Sequence, residues 1–96
     1  MAHCPALVVS AGGIEDAHGL LWVVMITSAE NRGWPGDVPV TNLAAAGLPA
    51  PSVIRTAKIA TIEASDAARL GKVHPALFRQ VAKRLGQELG FRPAVD

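Results

Sequence analysis

The apolar run Leu20–Ile26, followed directly by Thr27 and Ser28, constrains the fold of this chain more than any other segment. A run of seven apolar residues can form a buried strand, but it is too short for a membrane-spanning helix, which needs about 20. A buried strand normally ends in a turn signal, whereas this one ends in two hydroxyl side chains before the polar segment 29–37. Hydroxyl groups at the end of a rigid strand, beside a loop, are suited to holding a ligand.

The composition predicts one folded domain that spans residues 1–96. Hydrophobic residues make up 50% of the chain, which is enough for a packed core, and the net charge of +1 gives no overall attraction to nucleic acid. The one cysteine, Cys4, excludes an internal disulfide and the usual multi-cysteine zinc sites, and it fits a reducing compartment. Because residues 1–10 do not resemble a secretory signal, we expect a cytoplasmic protein without a membrane segment. A small apolar-rich domain often covers surface by association, so a homodimer is expected.

The pattern along the chain predicts strands first and one helix last. From Pro75 the apolar residues recur at three- and four-residue spacing up to Gly90, which predicts an amphipathic helix of about four turns, capped by His74. This order of elements is typical of an antiparallel α+β domain or a small barrel capped by a helix. The other predicted elements are strands at 6–10, 37–41 and 52–62 with a separate strand at 60–63 as an alternative, a loop at 11–19, a brief helix within 43–46, and a short strand or turn at 70–73.

Three segments, in order, resemble the MazF/PemK toxins of bacterial toxin–antitoxin systems. They are residues 3–10 (HCPALVVS), residues 25–28 (MITS) ahead of Trp34 and Pro35, and residues 50–55 (APSVIR) followed by a strand and a final helix. The resemblance implies a mainly β, α+β fold: an SH3-like small barrel of the MazF/PemK/CcdB type with a C-terminal amphipathic helix. It also implies a homodimer, a cognate antitoxin as partner, and cleavage of single-stranded RNA that requires neither a metal nor another cofactor.

The chain departs from the family pattern in three places. The family's N-terminal strand has no counterpart, because the resemblance begins at residue 3; that strand is missing or lies upstream of Met1. The arginine that the family places before the proline is replaced by Cys4, which is expected to be a small buried apolar residue. Some relatives carry an aspartate at the position of Ala57.

The resemblance implies a site for attack by the ribose 2′-hydroxyl on the adjacent phosphorus. Arg55 is the expected stabiliser of phosphate charge, because its planar donors match phosphate geometry, and Thr27 is the expected hydroxyl donor. A strand arginine in an ion pair and a hydroxyl that caps the turn are the structural alternatives. The expected RNA-binding residues are Ser28, His3, Arg32 and Trp34, the last as a stacking platform for a base or as a structural tryptophan. Glu30 and Asn31 could read base edges or belong to a solvated loop, and Trp22 is expected in the core or a dimer interface.

The sequence is compatible with three functions. The first is a toxin endoribonuclease with catalytic residues Arg55 and Thr27. The second is a catalytically impaired MazF-like protein that only binds RNA or antitoxin. The third is a CcdB-like gyrase poison, which is less favoured because those toxins end in Trp-Gly-Ile, whereas this chain ends in residues 92–96 (RPAVD).

Overall fold

A computed structural model describes residues 4–31 and 33–90 of the chain. Within these ranges the chain forms four strands, three α-helices and two short 3-10 turns. In chain order they are β1 (Ala6–Val8), α1 (Gly12–His18), β2 (Leu20–Ser28), a 3-10 turn (Ala29–Asn31), β3 (Asp37–Pro39), α2 (Leu43–Ala46), β4 (Ser52–Glu63), a second 3-10 turn (Ala64–Asp66) and α3 (Pro75–Glu88). His3 and Arg32, two of the predicted RNA-binding residues, lie outside the described ranges.

The strands form one antiparallel sheet in the order β1-β2-β4-β3. The long strands β2 and β4 lie at its centre and pair from Leu20 opposite Glu63 to Ser28 opposite Ser52. Their register shifts once: Met25 lies opposite Arg55, but the preceding Val24 lies opposite Ile59. A bulge of this kind bends a strand and increases its twist. The curled sheet with a C-terminal helix agrees with the mainly β architecture that the sequence predicts.

Helix α3 packs on one face of the sheet and closes the main core. Its buried residues Leu77, Val81 and Leu85 recur at four-residue spacing, so they form one apolar stripe. The buried core cluster consists of Val24, Val38, Ile54, Leu77, Val81 and Leu85. Full burial of one such side chain contributes about 1.5–3 kcal/mol relative to its exposure. This cluster ties the two central strands to the helix.

Both predicted ends of α3 are confirmed. The ring of His74 accepts a hydrogen bond at Nδ1 from the backbone N–H of Ala76 at 3.0 Å, and Pro75 occupies the first helical position. Proline suits that position because the first N–H groups of a helix have no partner within the helix. Gly90 follows the helix with a φ of 70°. Such a left-handed conformation favours glycine and stops the helix.

The prediction of a loop over residues 11–19 is wrong, because Gly12–His18 forms α1. None of its residues is buried, so the sequence carries no apolar stripe to reveal it. The helix ends at Gly19, whose φ is 66° and whose N–H donates to the carbonyl of Glu15 at 2.8 Å. A left-handed glycine at this position is a common helix stop.

Several strand boundaries differ from the prediction. Strand β1 ends at Val8 and β3 at Pro39, each two residues short of the predicted end. Strand β4 is continuous through Glu63, so residues 60–63 are not a separate strand. Residues 70–73 form neither strand nor turn. The N–H of Lys72 donates to the carbonyl of Ala45 at 2.8 Å and joins this segment to α2.

For Trp22 the sequence leaves two alternatives, the core and a dimer interface. Trp22 is 49% exposed, so the core alternative is wrong and the interface alternative stays a prediction. The expectation that Cys4 is buried is wrong, because Cys4 is exposed. In the part of the chain that the structure describes, no helix has the length and apolar character needed to cross a membrane.

Candidate functional site

A cleft of about 550 Å³ opens at the end of β2 and brings several of the predicted residues together. Its walls are the end of β2, the segment 48–52 and the bulged part of β4. The described residues that line it are Cys4, Pro5, Met25, Ile26, Thr27, Ser28, Asn31, Leu48, Pro49, Ala50, Pro51, Ser52, Arg55 and Lys58. Thr27, Ser28 and Arg55 are thus in one cleft, as the sequence predicts.

The side chain of Arg55 is buried and engaged on several sides. It is 7% exposed and lies directly opposite Asp37 in the β3–β4 pairing. Nε donates to Asp37 Oδ1 at 3.2 Å, and Nη2 donates to Asp37 Oδ2 at 2.9 Å and to the carbonyl of Asn31 at 2.6 Å. A two-pronged guanidinium–carboxylate contact fixes both groups in orientation. Arg55 therefore connects β4 to β3 and to the turn that follows β2.

The contact with Arg55 keeps Asp37 ionised. The hydrogen bond from Arg55 is the largest cause that lowers the pKa of Asp37 below its ordinary value of 3.8, and the positive charge of Arg55 acts in the same direction. The backbone N–H groups of Trp34 and Gly33 lower the pKa of Asp37 further, while burial opposes the shift. Two opposite charges in contact cancel at longer range. The Arg55–Asp37 pair therefore adds no net charge to the cleft.

Trp34 lies against the cations of β4. Its ring centroid is 4.2 Å from Arg55 Cζ and 5.5 Å from Lys58 Nζ. Both distances lie within the range of a cation–π interaction. The ring nevertheless remains 45% exposed. The geometry thus gives Trp34 a structural contact and leaves part of its surface open to a ligand.

The two hydroxyl groups at the end of β2 have different surroundings. Thr27 is half-buried, and its Oγ1 accepts a hydrogen bond from Asn31 Nδ2 at 3.1 Å. Ser28 is exposed, and its Oγ accepts from the N–H of Glu30 at 3.3 Å, as expected of a hydroxyl that caps a turn. In both cases the oxygen accepts, so the hydroxyl hydrogen can still donate elsewhere.

At the position where the family has an arginine, this chain has Cys4, which lies at the wall of the cleft. The carbonyl of Pro5 accepts a hydrogen bond from the N–H of Ile26 at 3.0 Å, which holds this segment beside β2. Cys4 consequently lines the same cleft as Thr27. A thiol is a weak donor and cannot replace the paired donors of a guanidinium. This wall of the cleft supplies no described cation.

Two residues of the site were not found by sequence reasoning. Asp37 looks like an ordinary strand residue, and only the register of β3 shows that it faces Arg55. Lys58 reaches the cleft because of the bulge, for which the sequence has no recognisable signal. Within residues 4–31 and 33–90, no group of three or more His, Cys, Asp or Glu side chains could hold a metal ion. The described lining of the cleft contains no carboxylate and no imidazole.

Comparison with known proteins identifies a family that matches most of the chain. The sequence profile of PemK-like, MazF-like toxins of type II toxin–antitoxin systems matches residues 2–89. Among proteins of curated function, none matches the chain significantly.

Solved structures with a similar fold include three toxins. A MazE–MazF crystal structure from Deinococcus radiodurans has a TM-score of 0.76 at 24% identity, over 94% of this chain and 88% of that chain. The toxin MazF-mt6 of Mycobacterium tuberculosis has a TM-score of 0.76 at 23% identity, over 94% of this chain and 89% of its own. An endoribonuclease in complex with its cognate antitoxin, from a mycobacterial species, has a TM-score of 0.77 at 22% identity, over 96% and 85% respectively. These similarities confirm the predicted fold class.

Proposed function

The chain belongs to the PemK-like, MazF-like toxins of type II toxin–antitoxin systems, and on that premise we propose that it is an endoribonuclease that cuts single-stranded RNA without a metal ion. The observation that carries the proposal is the one cleft in which the hydroxyl of Thr27 and the guanidinium of Arg55 both lie. Structural neighbours that are described as endoribonucleases support the reaction class.

In the proposed reaction the substrate supplies its own nucleophile. The ribose 2′-oxygen loses its proton and bonds to the adjacent phosphorus, the bond from phosphorus to the 5′-oxygen breaks, and the 5′-oxygen gains a proton. The products are a 2′,3′-cyclic phosphate and a free 5′-hydroxyl. The protein must orient the 2′-hydroxyl and stabilise charge on the phosphoryl oxygens. DNA lacks the nucleophile and would not be cut.

We assign the donor role to Thr27 and the electrostatic role to Arg55. The hydrogen bond from Asn31 occupies a lone pair of Thr27 Oγ1, so the hydroxyl hydrogen can donate to a phosphoryl oxygen. Because Nε and Nη2 of Arg55 already donate to Asp37 and Asn31, a phosphate contact from this side chain would use Nη1. Asp37 offsets much of its charge, so the larger effect on catalysis is expected from Thr27.

The remaining predicted residues are proposed to bind RNA. The exposed part of the Trp34 ring would stack on an unpaired base, which is worth about 1–3 kcal/mol per base in single-strand binding. Ser28 lines the cleft beside Thr27 and would donate to the backbone. His3 and Arg32 flank cleft residues in the sequence and stay in the proposal on that ground alone.

A second candidate function is binding without cleavage. It is favoured by two observations: Cys4 stands where the family has an arginine, and Asp37 neutralises Arg55. General acid–base catalysis typically contributes a factor of about 10²–10⁴ in rate, and the described lining offers no carboxylate or imidazole for it. Such a protein would bind RNA or an antitoxin and cut slowly or not at all.

Cleavage of a long single-stranded RNA in EDTA distinguishes the two candidates. The proposal expects products with 5′-hydroxyl ends, and a rate about 10²-fold lower for Thr27→Val, which keeps the shape of the side chain but removes one donor. Thr61→Val is the matched control, because Thr61 is an exposed residue of β4 that does not line the cleft. No cleavage with retained RNA binding would favour the second candidate. Neither cleavage nor RNA binding would contradict the endoribonuclease and the RNA-binding form of the second candidate.

We further propose that two copies of the chain associate and that a cognate antitoxin is a partner. The support for the antitoxin is that structural neighbours are MazE–MazF complexes and a toxin bound to its cognate antitoxin. The support for a homodimer is an apolar groove of about 410 Å³ on the described surface. It is lined by Val9, Trp22, Ile59, Phe78, Ala82, Leu85, Gly86 and Leu89. With RNA as substrate, we place the protein in the cytoplasm.

The homodimer is tested by the mass in solution. Sedimentation equilibrium is expected to give twice the 10.0 kDa of the chain, and Trp22→Glu is expected to give the mass of one chain. A carboxylate in an apolar interface would lose its hydration without gaining a partner. Glu63→Gln, in the same sheet, is the control. A Trp22→Glu protein that keeps the doubled mass would show that the two copies meet elsewhere.

A further inference from the structure

The bulge in β4 places a lysine in the cleft. On β2, Val24 and Met25 are neighbours, but their partners on β4 are Ile59 and Arg55, so residues 56–58 have no partner on β2. Bulges re-aim side chains that a regular strand would direct elsewhere. As a result, Lys58 lines the same cleft as Arg55 and Thr27.

Lys58 is the source of net positive charge in the described cleft. The charged side chains among the described lining residues are Arg55 and Lys58. Arg55 is in a two-pronged ion pair with Asp37, with Nη2 2.9 Å from Oδ2, and both side chains are less than a tenth exposed. Within residues 4–31 and 33–90 no carboxylate lies within ion-pair distance of Lys58. An anion that enters the cleft therefore meets the Lys58 ammonium as the uncompensated charge.

Trp34 restricts the position of this ammonium. The Lys58 Nζ atom lies 5.5 Å from the centroid of the Trp34 ring, on a side chain that is otherwise exposed. A cation held beside a half-exposed aromatic ring is a combination found in single-strand binding, where the ring stacks on a base and the cation contacts the backbone. Lysine suits the second role because it acts as a point charge on phosphate.

We infer that Lys58 binds a backbone phosphate of single-stranded RNA in the cleft, in addition to the phosphate contact proposed for Nη1 of Arg55. Nε and Nη2 of Arg55 hold β3, β4 and the Asn31 turn in place. This inference rests on the proposed function and adds a residue to it. Lys58 is thus proposed as a substrate-binding residue. Its charge contributes to RNA affinity, and the Arg55–Asp37 pair keeps the cleft in shape.

The test measures how RNA affinity depends on salt. The probe is a fluorescent single-stranded RNA with 2′-O-methyl riboses, which cannot be cleaved by 2′-hydroxyl attack. Each phosphate contact made to a single strand contributes about 0.7 to the slope of log affinity against log salt. Lys58→Gln is therefore expected to lower the slope by about 0.7 and the affinity about five-fold near 0.1 M salt. Lys58→Arg is expected to restore both.

Lys83→Gln is the matched control, because it removes an exposed lysine from α3 that does not line the cleft. Its slope should equal that of the wild type. If the wild type binds and Lys58→Gln leaves the slope unchanged, the inference is overturned and the proposed function stands. If the wild type binds no RNA, the inference and the proposed function are both overturned. A thermal unfolding midpoint unchanged by Lys58→Gln would show that a change of slope does not come from a change of fold.

Discussion

Strands β2 and β4 take part in two regions, the core under α3 (the helix face) and the cleft with the Arg55–Asp37 pair beside it (the cleft face), and different forces hold the two regions together. Ile54 and Arg55 are neighbours on β4, and both are buried. Ile54 belongs to the core cluster under α3, whereas Arg55 forms an ion pair with Asp37 beside the cleft. The first contact depends on shape and volume, and the second depends on charge. Changes on the two faces should therefore have different consequences for the protein.

The largest loss of stability is expected on the helix face. Ile54→Ala removes a side chain with no exposed surface from the centre of the core cluster, and it should lower the free energy of unfolding by about 4 kcal/mol. Urea unfolding measures this loss. Leu70→Ala is the control, since Leu70 is 60% exposed and should cost less than about 1 kcal/mol. Equal losses would contradict the location of the core.

A smaller loss, with a dependence on pH, is expected on the cleft face. Asp37→Asn keeps the shape of the side chain but removes its charge, and it should lower the free energy of unfolding by about 2 kcal/mol at neutral pH. The folded protein lowers the pKa of Asp37 from its ordinary value of 3.8. The stabilisation is therefore complete above about pH 3.8 and is lost as the pH falls from there towards the lower folded pKa.

The measurement for Asp37 is urea unfolding at a series of pH values down to about 3. The wild type should lose more stability than Asp37→Asn as the pH falls below about 4, because only the wild type has this carboxylate to protonate. Asp66→Asn is the matched control, since Asp66 is exposed and takes part in neither ion pair of the described residues. Parallel curves for the wild type and Asp37→Asn would contradict the ion pair.

The helix face could largely be predicted from the sequence, and the cleft face only in part. The run that forms β2 and the spacing of Leu77, Val81 and Leu85 on α3 are local signals, since each depends on the period of one element. The meeting of Thr27 and Arg55 follows from the family resemblance. Asp37 could not be assigned, because its contact with Arg55 depends on the register between β3 and β4.

The bulge in β4 explains why Lys58 was not predicted as a residue of the cleft. Its three residues interrupt the pairing of β2 with β4, and strand propensity does not report such an interruption. Lys58 could therefore be recognised as a cleft residue only in the structure. Helix α1 was missed for a related reason, since an element with no buried residue leaves no periodic apolar signal. The sequence therefore did not reveal contacts that depend on strand pairing or a helix that lies at the surface.

In the proposed mode of binding, RNA occupies the cleft face and does not contact α3. The most direct measurement is NMR of isotope-labelled protein titrated with an RNA that carries 2′-O-methyl riboses. We expect shifts for the amide signals of Thr27, Asn31 and Lys58 and for the Trp34 indole, with the signals of Val81 and Lys83 on α3 unchanged. Shifts concentrated on α3, with the cleft signals unmoved, would contradict this mode of binding.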